Sequence, residues 1–212
     1  WEEGFIAQPL ISGLAASVSV IGCGSEARAI AVNEQLIGLS WAGASGFRYS
    51  GNITPLEMPH CGMAEMAGMA EEIVADLGLV GSNGVDFLLS EKGPVPVEVN
   101  SRFQGSLDSV EMAYGINVFQ AHLEAFSGQL PEPIGPPLGT AGRAILYAPS
   151  PLRIDADLLY GWTCDVPGMG SRIEPDEPVI SVTCRGTGRD EVISCLKGRG
   201  AKLGRLLKIE WI

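Results

Sequence analysis

The stretch VEVNSR at residues 97–102 decides the fold, because apolar and polar side chains alternate along it. Alternation with a period of two is typical of a β-strand, whose successive side chains point to opposite faces. Glu98, Asn100 and Arg102 therefore share one face. A second apolar strand at residues 84–90 comes before this stretch, and Glu-Lys-Gly at 91–93 separates the two, so we predict a β-hairpin.

Three oxygen-bearing side chains of this hairpin indicate a metal site. Asp86 lies in the first strand, and the returning strand can bring Glu98 alongside it, with Asn100 further along the same face. Carboxylate and amide oxygens suit Mg²⁺, or Mn²⁺, bridged by phosphates, and Arg102 can contact a phosphate oxygen. Glu and Asn are common on solvated sheets, but here their neighbours are Val, Phe and Leu, among which polar groups need partners.

The composition limits the classes of function that we consider. The chain has 212 residues, of which 46% are hydrophobic and 18% charged, so it has enough apolar residues for a core. A net charge of −11 argues against a nucleic-acid partner. None of the five cysteines forms a CxxC pair, which argues against a zinc ribbon or a disulfide framework and favours reduced thiols. We find no apolar run of membrane-spanning length and expect a cytoplasmic protein.

The remaining elements predict an α+β fold. Strands are expected at residues 15–21, 27–32, 36–41, 143–147 and 179–184, and a loop at 43–54. Helices are expected after Pro59 and at 107–114, 118–126 and 189–207. Four prolines between 131 and 137 give the best internal boundary. We therefore predict an antiparallel sheet with packed helices in residues 1–132, and a small C-terminal α/β extension, 133–212, packing on the same lobe.

These motifs together resemble a known family. GVDF at 84–87 with PVEVNSR at 96–102 looks like the closing motif of the ATP-grasp superfamily, and FIAQPLISG at 5–13 resembles its hinge. NEQLI at 33–37 and YSGNITPL at 49–56 are similar to a subgroup of small, largely archaeal and methylotroph carboxylate–amine ligases. The resemblance covers residues 5–130 and implies the large lobe of an ATP-grasp enzyme.

The resemblance implies a ligase that uses ATP and Mg²⁺ to join two small molecules. A carboxylate would attack the γ-phosphate of ATP to give an acyl phosphate, and an amine would then displace phosphate to form an amide. The roles that it implies are as follows: nucleotide binding by Gln8, Pro9, Leu10, Ile11 and Glu98; metal binding by Asp86, Glu98 and Asn100; catalysis by Arg102 and Gln104; substrate binding by Asn52, Gly105 and Ser106.

Some features depart from the family pattern and leave alternatives open. Ala15 stands where the family usually has a ribose-binding carboxylate, and Gln8 replaces a common Glu. The family's small lobe, with its phosphate-binding Lys, precedes the hinge, so we expect a portion of a longer protein that is inactive alone. The alternatives are a non-catalytic ATP-binding or assembly module and a carboxylase, whose C-terminal pattern resembles Pro167-Gly168 and residues 178–182. A homodimer is left open.

Overall fold

The computed structural model describes residues 8–57 and 60–209 and has one large antiparallel sheet. Its eight strands follow the order β5-β4-β1-β2-β3-β6-β10-β8. These strands are β1 (Leu14–Cys23), β2 (Ala27–Ile37), β3 (Tyr49–Thr54), β4 (Val80–Ser90), β5 (Gly93–Asn100), β6 (Thr140–Tyr147), β8 (Thr163–Cys164) and β10 (Pro178–Gly186). A separate two-stranded ribbon pairs β7 (Leu152–Arg153) with β9 (Arg172–Ile173).

Four α-helices cover the two faces of the sheet within the described residues. Helices α1 (His60–Asp76) and α4 (Arg189–Leu207) pack on one face, α1 over β1 and β2, and α4 over β6 and β10. Helices α2 (Leu107–Tyr114) and α3 (Val118–Ala125) pack on the other face. Because both faces are covered, the polar side chains of the central strands are buried and need partners.

The face under α1 and α4 is apolar. Val18 and Val20 of β1 and Val85 of β4 pack against Met66 and Val74 of α1. Further along the sheet, Ala144, Leu146 and Val182 pack against Leu196 and Leu203 of α4. The carboxylate of Glu34 also lies on this face, and Arg189 at the start of α4 donates to it through Nε and Nη2, at 2.6 and 2.7 Å. This forked contact fixes α4 to β2.

The elements that carry the strongest patterns are confirmed, and two weaker ones are wrong. The hairpin and the four helices are present, and the fold class is the one predicted. The strand predicted at 36–41 is wrong, because β2 ends at Ile37, Gly38 takes a positive φ of 62° and Ser40–Ala42 forms a 3-10 turn. The third strand is instead β3, which lies inside the predicted loop. Its Gly and Ser residues are typical of a loop, but β3 pairs with β2 on one side and β6 on the other and is buried between them.

The C-terminal residues share the sheet of the N-terminal ones. Strand β6 pairs with β3, and β10 pairs with β6, so the sheet continues across residues 131–137. The division of the chain at residue 132 stays a prediction.

The cysteine expectation is wrong for two of the five residues. Cys184 of β10 and Cys195 of α4 form a disulfide, with their Cα atoms 6.3 Å apart. Their spacing in sequence gave no sign of this, because only the packing of α4 on β10 brings them together. Among the described helices, none has the length and apolar character needed to cross a bilayer.

Candidate active site

The hairpin register places the two predicted carboxylates side by side. Asp86 of β4 pairs directly with Glu98 of β5, and on its other side Asp86 pairs with Ser17 of β1. Ser17 in turn pairs with Asn33 of β2. Paired residues of an antiparallel sheet share a face, so these four polar residues form a row across four strands. The predicted juxtaposition of Asp86 and Glu98 is therefore confirmed.

The pKa of Asp86 is raised above its ordinary value, first because the carboxyl is partly buried and then because the Glu98 carboxylate lies beside it. Hydrogen bonds from Gln35 and Asn100 and the charge of Arg102 act in the opposite direction and do not cancel the rise. Two adjacent carboxylates, one of them poorly solvated, attract a cation strongly. Within the described residues no Lys or Arg pairs with either carboxylate.

The donor set at this place fits a divalent cation that also binds phosphate. The described residues contain no cluster of three or more acidic, His or Cys side chains that could hold a metal by themselves. The Asn100 amide lies next to the carboxylates and donates to Asp86 Oδ2 at 3.4 Å, while its Oδ1 accepts from Arg102 Nη2 at 3.3 Å. Half a turn of this amide would direct its oxygen toward a cation bound by the two carboxylates. Two carboxylates, an amide and phosphate oxygens are the ligands that Mg²⁺ prefers.

A cavity of about 410 Å³ opens over this carboxylate pair. Of the predicted residues, Asp86, Glu98, Asn100, Arg102, Gln104, Gly105 and Ser106 line it. Five further residues that the sequence analysis did not single out complete the wall: Ser17, Gln35, Ile37, Phe47 and Tyr49. Ser17 and Gln35 lie on the Asp86 face because β1 pairs with both β4 and β2, and the pairing of β1 with β4 was not predicted from the sequence.

The segment after β5, residues 101–106, folds back and is hydrogen-bonded to the end of that strand. The Gln104 amide donates to the Asn100 carbonyl at 3.0 Å and also to the Arg102 carbonyl, and the Gln104 side chain fills the space beside Gly84. Gly105 is exposed at the cavity wall. The buried Ser106 hydroxyl is hydrogen-bonded to Ser19 at 3.2 Å. The structure thus explains how this turn is held, and the roles assigned to it stay predictions.

Asn52 lies beneath the cavity wall and is fully buried. Its amide nitrogen donates to Thr54 Oγ1 at 3.1 Å and to the Ser109 hydroxyl of α2. Its Oδ1 accepts from the Tyr49 hydroxyl at 3.5 Å. Asn52 therefore does not line the cavity itself but contacts Tyr49, which does. Its contact with substrate stays a prediction.

A second cleft, of about 730 Å³, lies where the chain enters β1. Leu10 and Ile11 of the predicted hinge line it, whereas Phe5, Ile6 and Ala7 of that motif fall outside the described residues. Gln8 and Pro9 are exposed beside it. The opposite wall comes from the turn between β4 and β5 and its flanks, which include Glu91 and Lys92. Glu91 thus supplies a carboxylate to this cleft.

Strands β1 and β4 connect the two clefts. Leu14 pairs with Leu89 at the hinge end, and Ser17 pairs with Asp86 at the carboxylate pair. Three residues of extended strand separate the two places, which is about 10 Å. A ligand with an apolar ring at the hinge and an anionic end at the carboxylate pair could lie along these strands.

Comparison with known proteins supports this description of the fold. Residues 1–106 match the model of the ATP-grasp domain family. An uncharacterized protein of Methanocaldococcus jannaschii is 28% identical over 184 residues, which cover 85% of this chain and 42% of that protein. The chain therefore spans less than half the length of this relative.

Three solved structures have a similar fold. The L-amino acid ligase of Bacillus licheniformis has a TM-score of 0.72 at 15% identity, over 89% of this chain and 50% of that one. The biotin carboxylase of Campylobacter jejuni, solved as a complex described as β,γ-ATP, gives 0.72 at 14%, over 88% and 45%. The urea carboxylase of Kluyveromyces lactis gives 0.70 at 21%, over 86% and 17%. At these identities the likeness concerns the fold alone.

Proposed function

The chain belongs to the ATP-grasp domain family, and from that premise we propose that it is part of an ATP-dependent carboxylate–amine ligase. The observation that carries the proposal is the pairing of Asp86 with Glu98 under one cavity, with Asn100 and Arg102 beside them. The hinge cleft lies along the same strands. This arrangement suits a nucleotide whose base lies at Leu10 and Ile11 and whose phosphates lie over the carboxylates.

In this proposal the chain's residues bind and orient, and they form no covalent bond with the substrate. Asp86, Glu98 and the Asn100 amide would hold Mg²⁺, which neutralises phosphate charge when bound. Arg102 would bind a phosphate oxygen. The carboxylate substrate would attack the γ-phosphate, releasing ADP, and an amine would displace phosphate from the resulting acyl phosphate to leave an amide.

The test is ADP release by the full-length protein, measured with Mg²⁺ and ATP against a panel of amino acids and amines. We expect release that depends on both a carboxylate and an amine. We also expect loss of release in the double variant Glu98→Gln, Asn100→Ala. Glu72→Gln, which changes an exposed carboxylate on α1, is the matched control and should leave release unchanged.

Each outcome of this test discriminates between functions. Full activity in the Glu98→Gln, Asn100→Ala variant would contradict the metal assignment. Release that depends on bicarbonate and needs no amine would favour a carboxylase. Nucleotide binding without release under any condition would favour a non-catalytic ATP-binding module.

A further inference from the structure

Tyr49 stands out in the cavity because a local irregularity of β3 turns it toward the carboxylate pair. Tyr49 and Asn52 are three residues apart and would face opposite sides of a regular strand. The pairing between β2 and β3 shifts between Leu36 and Ile37, so that Leu36 pairs with Gly51 and Ile37 pairs with Tyr49. Gly51 has a φ of 130°. This bulge puts Tyr49 on the same face as Asn52.

The bulge needs a glycine at position 51, where the strand lies against β6. A Cβ added there would come within 2.0 Å of the Arg143 carbonyl oxygen, which no side chain can avoid because that atom belongs to the backbone. Bulges that re-aim a side chain are frequent next to active sites. Gly51 and the bulge together therefore determine which side of β3 the Tyr49 ring lies on.

The Tyr49 hydroxyl makes a long, weak hydrogen bond to the side chain of Asn52. Its contact with Asn52 Oδ1 is 3.5 Å long, whereas good O–H···O bonds are about 2.7–2.8 Å. Burial raises the pKa of this hydroxyl, and the charge of Arg143 offsets only part of the rise, so it keeps its proton as a donor at neutral pH. Gly105 lies close to this hydroxyl at the cavity wall, and a Cβ there would lie 3.1 Å from the hydroxyl oxygen.

The two arginines whose charges act on the Tyr49 hydroxyl, Arg143 and Arg102, differ in whether carboxylates pair with them. The guanidinium of Arg143 donates to Asp108 at 2.6 Å, to Asp165 and to Ser181, so carboxylates already neutralise it. Arg102 donates to the Phe103 carbonyl and to Asn100, and among the described residues no carboxylate pairs with it. Within the described residues Arg102 therefore lines the cavity with no carboxylate in ion-pair contact, and the charge of Asp86 acts on it from a longer distance.

We propose that the Tyr49 hydroxyl and the Arg102 guanidinium form a binding subsite for an oxyanion of the reacting group, beside the Asp86–Glu98 pair. The inference rests on the proposed function, because that function brings both a phosphoryl group and a carboxylate to this cavity. Both have the same chemistry for this subsite, namely an anionic oxygen that accepts one O–H and one guanidinium donor. Asn52 is a positioning residue that acts through Tyr49.

The experiment uses the full-length protein and two anion probes, each added after the nucleotide. Inorganic phosphate is titrated into protein saturated with Mg²⁺ and ADP, and acetate into protein saturated with Mg²⁺ and β,γ-methylene-ATP. The variants are Tyr49→Phe, which removes only the hydroxyl, and Tyr114→Phe as a matched control. Tyr114 is another partly buried tyrosine with a raised pKa, and it does not line this cavity.

We expect Tyr49→Phe to weaken one probe roughly tenfold, the cost of losing a hydrogen bond to a charged group, while Tyr114→Phe leaves it unchanged. Loss in the phosphate titration would assign the subsite to the transferred phosphoryl group, and loss in the acetate titration to the acceptor carboxylate. Wild-type affinity of Tyr49→Phe for both probes would overturn the proposal, as would failure of the wild type to bind either probe once the nucleotide is bound.

If the proposed function is wrong, the result differs already at the nucleotide titration. If ADP and β,γ-methylene-ATP do not bind to the wild type with Mg²⁺, the nucleotide titration shows this before any anion is added, and both proposals fall. Should Tyr49→Phe fail to fold, Arg102→Gln decides, because Arg102 is exposed and supplies the second donor of the subsite. Unchanged binding of both probes in Arg102→Gln then contradicts the subsite.

Discussion

The two faces of strand β1 are both buried but differ in chemistry. Toward α1, Val18 and Val20 pack in an apolar core. Toward α2, Ser17 and Ser19 accept from the Asn33 amide at 3.3 and 3.1 Å. The polar face continues through Thr54, whose hydroxyl donates to Asn33 Oδ1 at 2.7 Å and accepts from the Asn52 amide at 3.1 Å. The Ser109 hydroxyl of α2 lies 3.1 Å from the same oxygen. The apolar face gives the fold its stability, whereas the polar face leads to the cavity.

This difference shows what a buried polar network can add to a stable sheet. Apolar contacts are non-directional and tolerate small shifts, whereas each hydrogen bond fixes a particular orientation. The network joins Ser17 at the carboxylate pair to Ser106 and Ser109 at α2 and to Tyr49 in the cavity wall. We infer that it sets the geometry of the site, and the following substitutions test the contrast between the two faces.

The largest effect on stability is expected on the apolar face. Met66→Ala removes a fully buried side chain between α1 and the sheet, and it should lower the free energy of unfolding by about 2–5 kcal/mol. Binding of Mg²⁺–ATP to the remaining folded protein should not change. Chemical denaturation followed by circular dichroism measures the loss. Leu77→Ala, at an exposed position after α1, is the control and should cost far less.

An ion pair on the same apolar face gives the next effect. Arg189→Ala leaves the buried Glu34 carboxylate without its partner. Breaking a fully buried pair costs about 3–5 kcal/mol, but Arg189 is 38% exposed, so we expect about 2 kcal/mol. Denaturation at pH 7 gives the value. A loss no greater than that of Arg205→Ala, on the exposed side of α4, would show that the contact does not stabilise the fold.

A smaller loss of stability is expected on the polar face. Asn33→Ala removes the amide that joins Ser17, Ser19 and Thr54, and leaves their buried hydroxyls with fewer partners. The expected cost is about 1–3 kcal/mol. Unlike Met66→Ala, this variant should also weaken binding of Mg²⁺–ATP in the folded protein, as measured by calorimetric titration. Unchanged affinity would separate the network from the site and contradict the contrast between the faces.

Much of this contrast could be predicted from the sequence, because local patterns determine it. Alternation at residues 97–102 predicted the strand and its polar face, and the turn at 91–93 brought Asp86 close to Glu98. The turn alone pairs Phe87 with Pro96, and a register shift between Asp86 and Phe87 then places Asp86 opposite Glu98. The disulfide was missed because its two cysteines meet only when α4 packs on β10. Strand β3 was missed because its pairing with β2 and β6, and not its own sequence, buries it. Tyr49 was missed as a site residue because only the bulge opposite Ile37 turns it into the cavity. A bulge interrupts the alternation of side chains, so the periodicity of the sequence does not predict it.

The smallest effect on stability, with a sign opposite to the others, is expected at the carboxylate pair. Ionised Asp86 is partly buried beside Glu98, which raises its pKa. The metal-free protein should therefore lose stability as the pH rises from the ordinary Asp pKa of about 3.9 through the raised value. Asp86→Asn should abolish this dependence and be slightly more stable at pH 7. Denaturation at several pH values without metal measures both.

The same pKa shift affects metal binding in the other direction, because only the ionised carboxylate binds a cation. Affinity for Mg²⁺ in the presence of ATP should fall as the pH is lowered toward the raised pKa of Asp86. Protons should be released on binding. Calorimetric titration in two buffers of different ionisation enthalpy detects this release. Affinity that is constant down to the ordinary Asp pKa would show that Asp86 does not bind the metal.

Equilibrium titration with Mg²⁺–ATP tests most directly whether the Asp86–Glu98 pair binds the metal ion of a nucleotide site. If this pair binds the metal, Asp86→Asn should fold as well as the wild type and bind Mg²⁺–ATP far more weakly, by more than the 10- to 100-fold that loss of an outer-shell partner costs. Glu72→Gln should bind like the wild type. Equal affinity of Asp86→Asn and the wild type would contradict the claim.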